Sequence, residues 1–186
     1  MELTEIMYMA VDEPETVHLV LEKTTRFLTD YIQAFKKAGA HGIVMAEPAA
    51  SLLSPDWNAE FSASYVRQIV SAVQDENFIV VYHNCGNVLP LLPEIVETGA
   101  AAFHFDNSIS MKDAIEKIPA DRLVMGNIES ATLIACGTPA SVYEATKALA
   151  GQMKDYPNFV LSSGCDIPPQ APLENIDAFF AAAKAV

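Results

Sequence analysis

Along the chain, short apolar runs alternate with longer segments in which apolar residues return every three or four positions. Val17, Val20, Leu21, Leu28, Ile32 and Phe35 keep helical spacing up to Gly39, a natural C-terminal stop. Asp12-Glu13-Pro14-Glu15 reads as the start of that helix, with Asp12 as N-cap, Glu15 three residues on and Pro14 in the first turn. Ile43, Val44 and Met45 then form a buried strand that ends at Glu47-Pro48. The alternation repeats. Ser54-Pro55 opens a helix through Phe61, Tyr65, Ile69 and Val73, and Phe78 to Tyr82 is a strand ending at His83. Pro90 to Glu97 is a short helix closed by Gly99, followed by a strand from Ala101 to Asp106. Ser110 and Asp113 open the next helix, and Arg122 to Met125 is a strand ending at Gly126-Asn127. Thr138-Pro139 opens another helix, Phe159 to Ser162 is the last strand, and Pro172 to Ala185 is the final helix.

Five βα units in this order predict an α/β fold with a parallel sheet and right-handed crossovers. An open doubly wound sheet and a (β/α)8 barrel both fit, and both gather functional loops at the C-terminal ends of the strands. Glu47, His83, Cys85, Asp106, Asn127 and Cys165 fall on that edge. No Gly-x-Gly-x-x-Gly or Walker-type loop follows any strand, which removes the usual nucleotide-binding reason for an open sheet. The expectation is a partial (β/α)8, TIM-like barrel. A whole barrel takes roughly 250 residues, so 186 residues form a single domain equivalent to its C-terminal part. The outermost strands would then expose unpaired backbone, which predicts a homo-oligomer or a partner chain completing the barrel.

Charge narrows the partners. With 24 Asp and Glu against 11 Lys and Arg, the net charge of -13 is the wrong sign for nucleic acid or for anionic membrane surfaces. Acidic residues at Glu2, Glu5, Asp12, Glu13 and Glu15 leave no secretory signal pattern, and no apolar run approaches the ~18 residues of a membrane span. A cytoplasmic location is expected. There, three cysteines, Cys85, Cys136 and Cys165, point to metal binding or catalysis before disulfides.

His83 and Cys85 are two apart at a strand end, so an extended backbone turns both to one face, roughly 7 Å apart at Cα. Cys165, in Ser163-Gly164-Cys165-Asp166, reaches the same rim after 79 intervening residues. One nitrogen and two sulfurs suit Zn2+ and leave a fourth tetrahedral position open. The alternative is a buried thiol beside a hydrogen-bonded imidazole. Cys136, next to the apolar Leu133-Ile134-Ala135 run, fits a buried small hydrophobe. Glu47 and Asp106 end apolar runs where a functional acid or a structural cap is equally at home. His104 reads as a satisfied core histidine, and His18 and His41 are assigned no role.

Four segments carry a resemblance that runs almost the length of the chain: EPAASLLSP at 47–55, HNCGN at 83–87, GNI at 126–128 and SSGCDIPPQAPLENI at 162–176. In order and spacing they resemble the uroporphyrinogen decarboxylase superfamily, specifically its cobalamin-dependent methyltransferase branch. The resemblance implies zinc held by His83, Cys85 and Cys165. It also implies methyl transfer between a methylcorrinoid (cobalamin), delivered by a corrinoid protein, and a zinc-activated thiol such as coenzyme M, or another small acceptor such as a folate. In this picture Glu47 would occupy the fourth zinc position before substrate arrives, and Asp106 would orient a ligand or the substrate. The superfamily's decarboxylases resemble the chain in fold, lack the metal triad, and depend on arginines and an aspartate in an N-terminal region this chain does not contain. The alternatives are therefore such a decarboxylase, or a non-catalytic zinc- or corrinoid-binding module that needs a partner chain.

Overall fold

A computed structural model describes residues 2–185. Its sheet has five strands: β1 (Gly42–Glu47), β2 (Ile79–Asn84), β3 (Ala102–Phe105), β4 (Leu123–Ile128) and β5 (Phe159–Ser163). They lie in chain order and all pair in parallel. Two helices, α1 (Leu3–Asp12) and α2 (Pro14–Lys37), precede the sheet. Helical segments α3 (Pro55–Asn58) and α4 (Ser64–Val73), joined by a wide turn at Ala59–Ala63, link β1 to β2. The later crossovers are α5 (Leu92–Glu97), α6 (Met111–Ile115) and α7 (Pro139–Met153), and α8 (Leu173–Ala183) follows β5. The expected α/β architecture, part of a TIM-type barrel, is present.

The core lies between the helices and one face of the sheet. Register sets Met45, Tyr82, Phe103, Val124 and Phe159 in a row on that face, with Tyr82, Phe103 and Val124 fully buried. Ile69, Val73, Leu92, Ile95, Ala114 and Ile115 close over it from the helices. One register position along, Ala46, His83, His104, Met125 and Val160 form a row on the other face. Parallel sheets are normally covered on both sides. Here the second face opens into a hollow of about 720 Å³, and Val44 on it is 67% exposed.

That open face is concave. Strands three apart, such as β2 and β5, would lie about 14 Å from each other in a flat sheet. Yet His83 Nε2 on β2 is 3.6 Å from the sulfur of Cys165, just past β5. The sheet curls at its C-terminal end as a barrel wall does.

Several boundaries differ from the sequence reading. Asp12 is the last residue of α1 rather than the cap of α2, and Glu13 stands between them, its carboxylate accepting from Thr16 Oγ1. Leu3, Ile6, Met7 and Ala10 supply the helical spacing of α1, and Glu2 and Glu5 form its capping box. Strand β4 runs on through Gly126 and Asn127 because both pair with β5, at Leu161 and Ser162. After it, Glu129 accepts the N–H groups of Ala131, Thr132 and Leu133 and starts a wide turn at Ser130–Ile134. Ile134 and Ala135 take the buried positions of that turn, so Cys136, expected to be buried, is exposed.

Candidate metal centre

Strand parity decides which predicted residues meet. His83 points into the concave hollow, and Cys85, two residues on, follows it. Cys85 Sγ lies 3.1 Å from His83 Nε2 and Cys165 Sγ 3.6 Å from the same nitrogen. One ligand atom from each of the three residues falls within 4.8 Å of the others. Zn–S bonds near 2.3 Å and Zn–N bonds near 2.0–2.1 Å put tetrahedral donors about 3.5–3.8 Å apart, so the three donors need shift by no more than about 1 Å to hold a metal ion of that kind. His83 is buried and both thiols are half-buried. Burial, then the neighbouring Cys165 thiol and the Asp106 and Asp166 carboxylates, push the Cys85 thiol up to about 11.

The turn that carries Cys85 is held from the next strand. Gly86 donates its N–H to Asp106 Oδ2 at 2.8 Å, while Asp106 Oδ1 accepts from the Ser108 N–H at 2.9 Å. Gly86 has φ +79, and a side chain there would run into Ser51, so the turn depends on glycine. Asn127 Nδ2 donates to the carbonyls of Asp106 and Ile109 and fixes the loop beyond β3. On the far side Gly164 donates to the Ile128 carbonyl, and Ser130 Oγ donates to the Cys165 carbonyl at 3.3 Å. Asp106 thus touches the cluster's supporting turn and is outside the donor group itself.

Glu47 lies elsewhere. Its register partner is Asn84, whose side chain, like that of Tyr82, is turned away from the concave face and buried under the helices. The Glu47 carboxylate accepts from the Ala49 N–H at 3.2 Å and from Ser62 Oγ at 3.3 Å, beside a cleft lined by Leu21, Trp57 and Phe61. The structure does not bring it to the His83, Cys85 and Cys165 donors. Burial raises its carboxyl above the ordinary 4.5, and the two hydrogen bonds reverse only part of that. A raised acid holds its proton more tightly folded than unfolded. Its stabilising contribution is therefore full below about pH 4.5 and is lost as pH climbs through the raised folded value. Glu47→Gln cannot ionise, so its melting temperature should gain on that of the unaltered protein as pH rises from 4.5 to 7. Parallel thermal-unfolding curves for the two would show that Glu47 ionises as freely folded as unfolded.

Sequence reasoning left His104 among satisfied core residues. It is satisfied, but by the site. Its register partner is His83, their nearest nitrogens are 2.8 Å apart, and its other nitrogen lies 2.7 Å from the Ser163 carbonyl oxygen. Burial holds its imidazole below the ordinary 6.5. The signal that could have found it is the matching position of His83 and His104 at the ends of adjacent strands.

A curled parallel sheet with helices on its convex side and a His/Cys cluster at its strand ends defines an incomplete TIM-type α/β barrel with a rim able to hold a metal. The chain belongs to the uroporphyrinogen decarboxylase (URO-D) family, whose sequence profile matches residues 1–186. It is 31% identical over 180 residues to the methylcobamide:CoM methyltransferase MtaA of Methanosarcina barkeri, covering 95% of this chain and 51% of that one. It is 28% identical over 174 residues to the methylated-thiol--coenzyme M methyltransferase of Methanosarcina mazei, covering 92% and 45%. A uroporphyrinogen decarboxylase of Alcanivorax borkumensis is 26% identical over 179 residues, covering 94% and 50%. The solved structure of a methyltransferase from Methanosarcina mazei superposes with a TM-score of 0.89 at 28% identity, covering 99% of this chain and 53% of that one. The chain spans about half the length of the curated relatives it matches. No helix among the described residues is long and apolar enough to cross a membrane.

Proposed function

We propose that this chain supplies the zinc- and thiol-binding part of a methyltransferase that moves a methyl group between a methylcorrinoid and a thiol of the coenzyme M type. The observation that carries the reading is the convergence of His83, Cys85 and Cys165, from two strands that are not neighbours, within 4.8 Å. When bound there, zinc would lower the pKa of an acceptor thiol and hold its sulfur as a thiolate. With zinc bound, His83 Nε2 would be the neutral donor of the set and the two cysteine thiolates the anionic ones. A substrate sulfur would approach from the concave hollow, whose apolar walls of Val44, Val81, Met125 and Ile167 would exclude water once the open face is covered. Asp106 keeps the Cys85 turn in place through Gly86, and Glu47 stands behind the sheet, outside the donor set. A corrinoid protein would bring the methyl group, and a second copy or another polypeptide would cover the open concave face.

Elemental analysis after anaerobic purification is expected to give about one zinc per chain. Combined with a polypeptide supplying the rest of the barrel, the chain should transfer methyl groups from methylcobalamin to coenzyme M. Zinc without turnover in that mixture would overturn the catalytic reading in favour of a non-catalytic module. A chain without zinc would overturn the metal reading and favour a decarboxylase relative.

A further inference from the structure

We infer that His104 is a positioning residue that fixes the tautomer of His83, so that the Nε2 lone pair of His83 faces Cys85 and Cys165. The inference rests on the metal reading for its purpose, but its geometry is independent of any ion. The Ser163 carbonyl oxygen can only accept, and it lies 2.7 Å from His104 Nε2, so that nitrogen carries the hydrogen. The Ser162 hydroxyl, 3.3 Å from the same nitrogen, can share it. With its one proton on Nε2, His104 presents a bare Nδ1. That atom is 2.8 Å from His83 Nδ1, and two bare nitrogens do not face each other at hydrogen-bond distance. His83 Nδ1 therefore carries a hydrogen and donates it to His104.

His83 has then used its single proton, and Nε2 is left as an acceptor. It points at the Cys85 sulfur, 3.1 Å away, and the Cys165 sulfur, 3.6 Å away. Without an ion, the Cys85 S–H donates to it. With one, the same lone pair is already aimed and needs no proton transfer before it can bind. A histidine ligand whose second nitrogen is held by an acceptor is a recurring device of metal sites. Here the acceptor is another histidine, itself oriented by the backbone of β5. The device spans three strands: His83 on β2, His104 on β3 and Ser163 on β5.

The test begins with the metal-free, 15N-labelled full chain. A long-range 1H–15N correlation spectrum should show His83 protonated on Nδ1 and His104 protonated on Nε2. In His104→Phe, which keeps a ring but offers no acceptor, His83 should lose its single tautomer and zinc affinity should fall about tenfold to a hundredfold. His104→Asn places an amide oxygen at the δ position and should recover most of that loss. A proton on His83 Nε2 in the unaltered chain, or a Phe variant with unchanged tautomer and unchanged zinc affinity, overturns the inference. Should the Phe variant fail to fold, the spectrum of the unaltered chain still decides. A chain with this tautomer pair that takes up no zinc would sink the zinc reading and leave the role of His104 standing. Zinc bound through the three residues in a chain whose metal-free form carries the His83 proton on Nε2 would do the reverse.

Discussion

Cys165→Ser is expected to leave the chain without tightly held zinc, whereas Cys136→Ser retains it. Cys165 is one of two sulfurs facing His83 Nε2, and it alone reaches the cluster from beyond β5. A serine hydroxyl does not supply the thiolate that zinc takes from cysteine. The loss in affinity should exceed the roughly 10–100-fold that removal of an outer-shell partner costs. Cys136 is exposed, lies outside the donor group, and controls for general thiol loss. Competition titration against a zinc chelator measures the effect. Equal affinity in Cys165→Ser and the unaltered chain would remove Cys165 from the ligand set and with it the reason for linking β2 to β5.

The second large effect concerns stability. Phe103→Ala is expected to cost about 3–5 kcal/mol, combining lost burial with the cavity left behind. Phe103 is fully buried on the central strand β3, with Tyr82 and Val124, also fully buried, as its register neighbours. Helices close over that row, so little of the space can collapse. Domains of this kind have about 5–15 kcal/mol in total, so the variant should unfold at markedly lower denaturant. Urea unfolding checks it, and a cost under about 1 kcal/mol would mean that the row repacks freely.

Strand and helix order was legible because each strand contains an uninterrupted apolar run and each helix keeps its own period. The pair His83 and Cys85 was legible for a related reason: two residues apart on an extended chain share a face. What separates Glu47 from them is not visible within any one strand. Glu47 sits on its face because Ala46, and not Glu47, pairs with His83, and register between strands is a property of the assembled sheet. The contact between His104 and His83 has the same origin. The curl that carries Cys165 to His83 is more collective still, since it sums the twist of every strand pair between β2 and β5. Helix α1 was missed although Leu3, Ile6, Met7 and Ala10 keep a helical period, because Asp12 and Pro14 make an equally good helix start.

Every strand pairs with its neighbour in the chain, which bears on how the molecule is made. Such a sheet has local contacts and can be built one unit at a time, and chains emerging from the ribosome fold their N-terminal parts first. His83 and Cys85 are laid down with the second strand, but the third donor and the carbonyl that orients His104 arrive only with the fifth. A nascent chain therefore carries two of the three candidate donors while the 79 residues between Cys85 and Cys165 are made. On the proposed metal reading, capture would wait for the fifth strand, and a filled rim would certify that all five strands are in place.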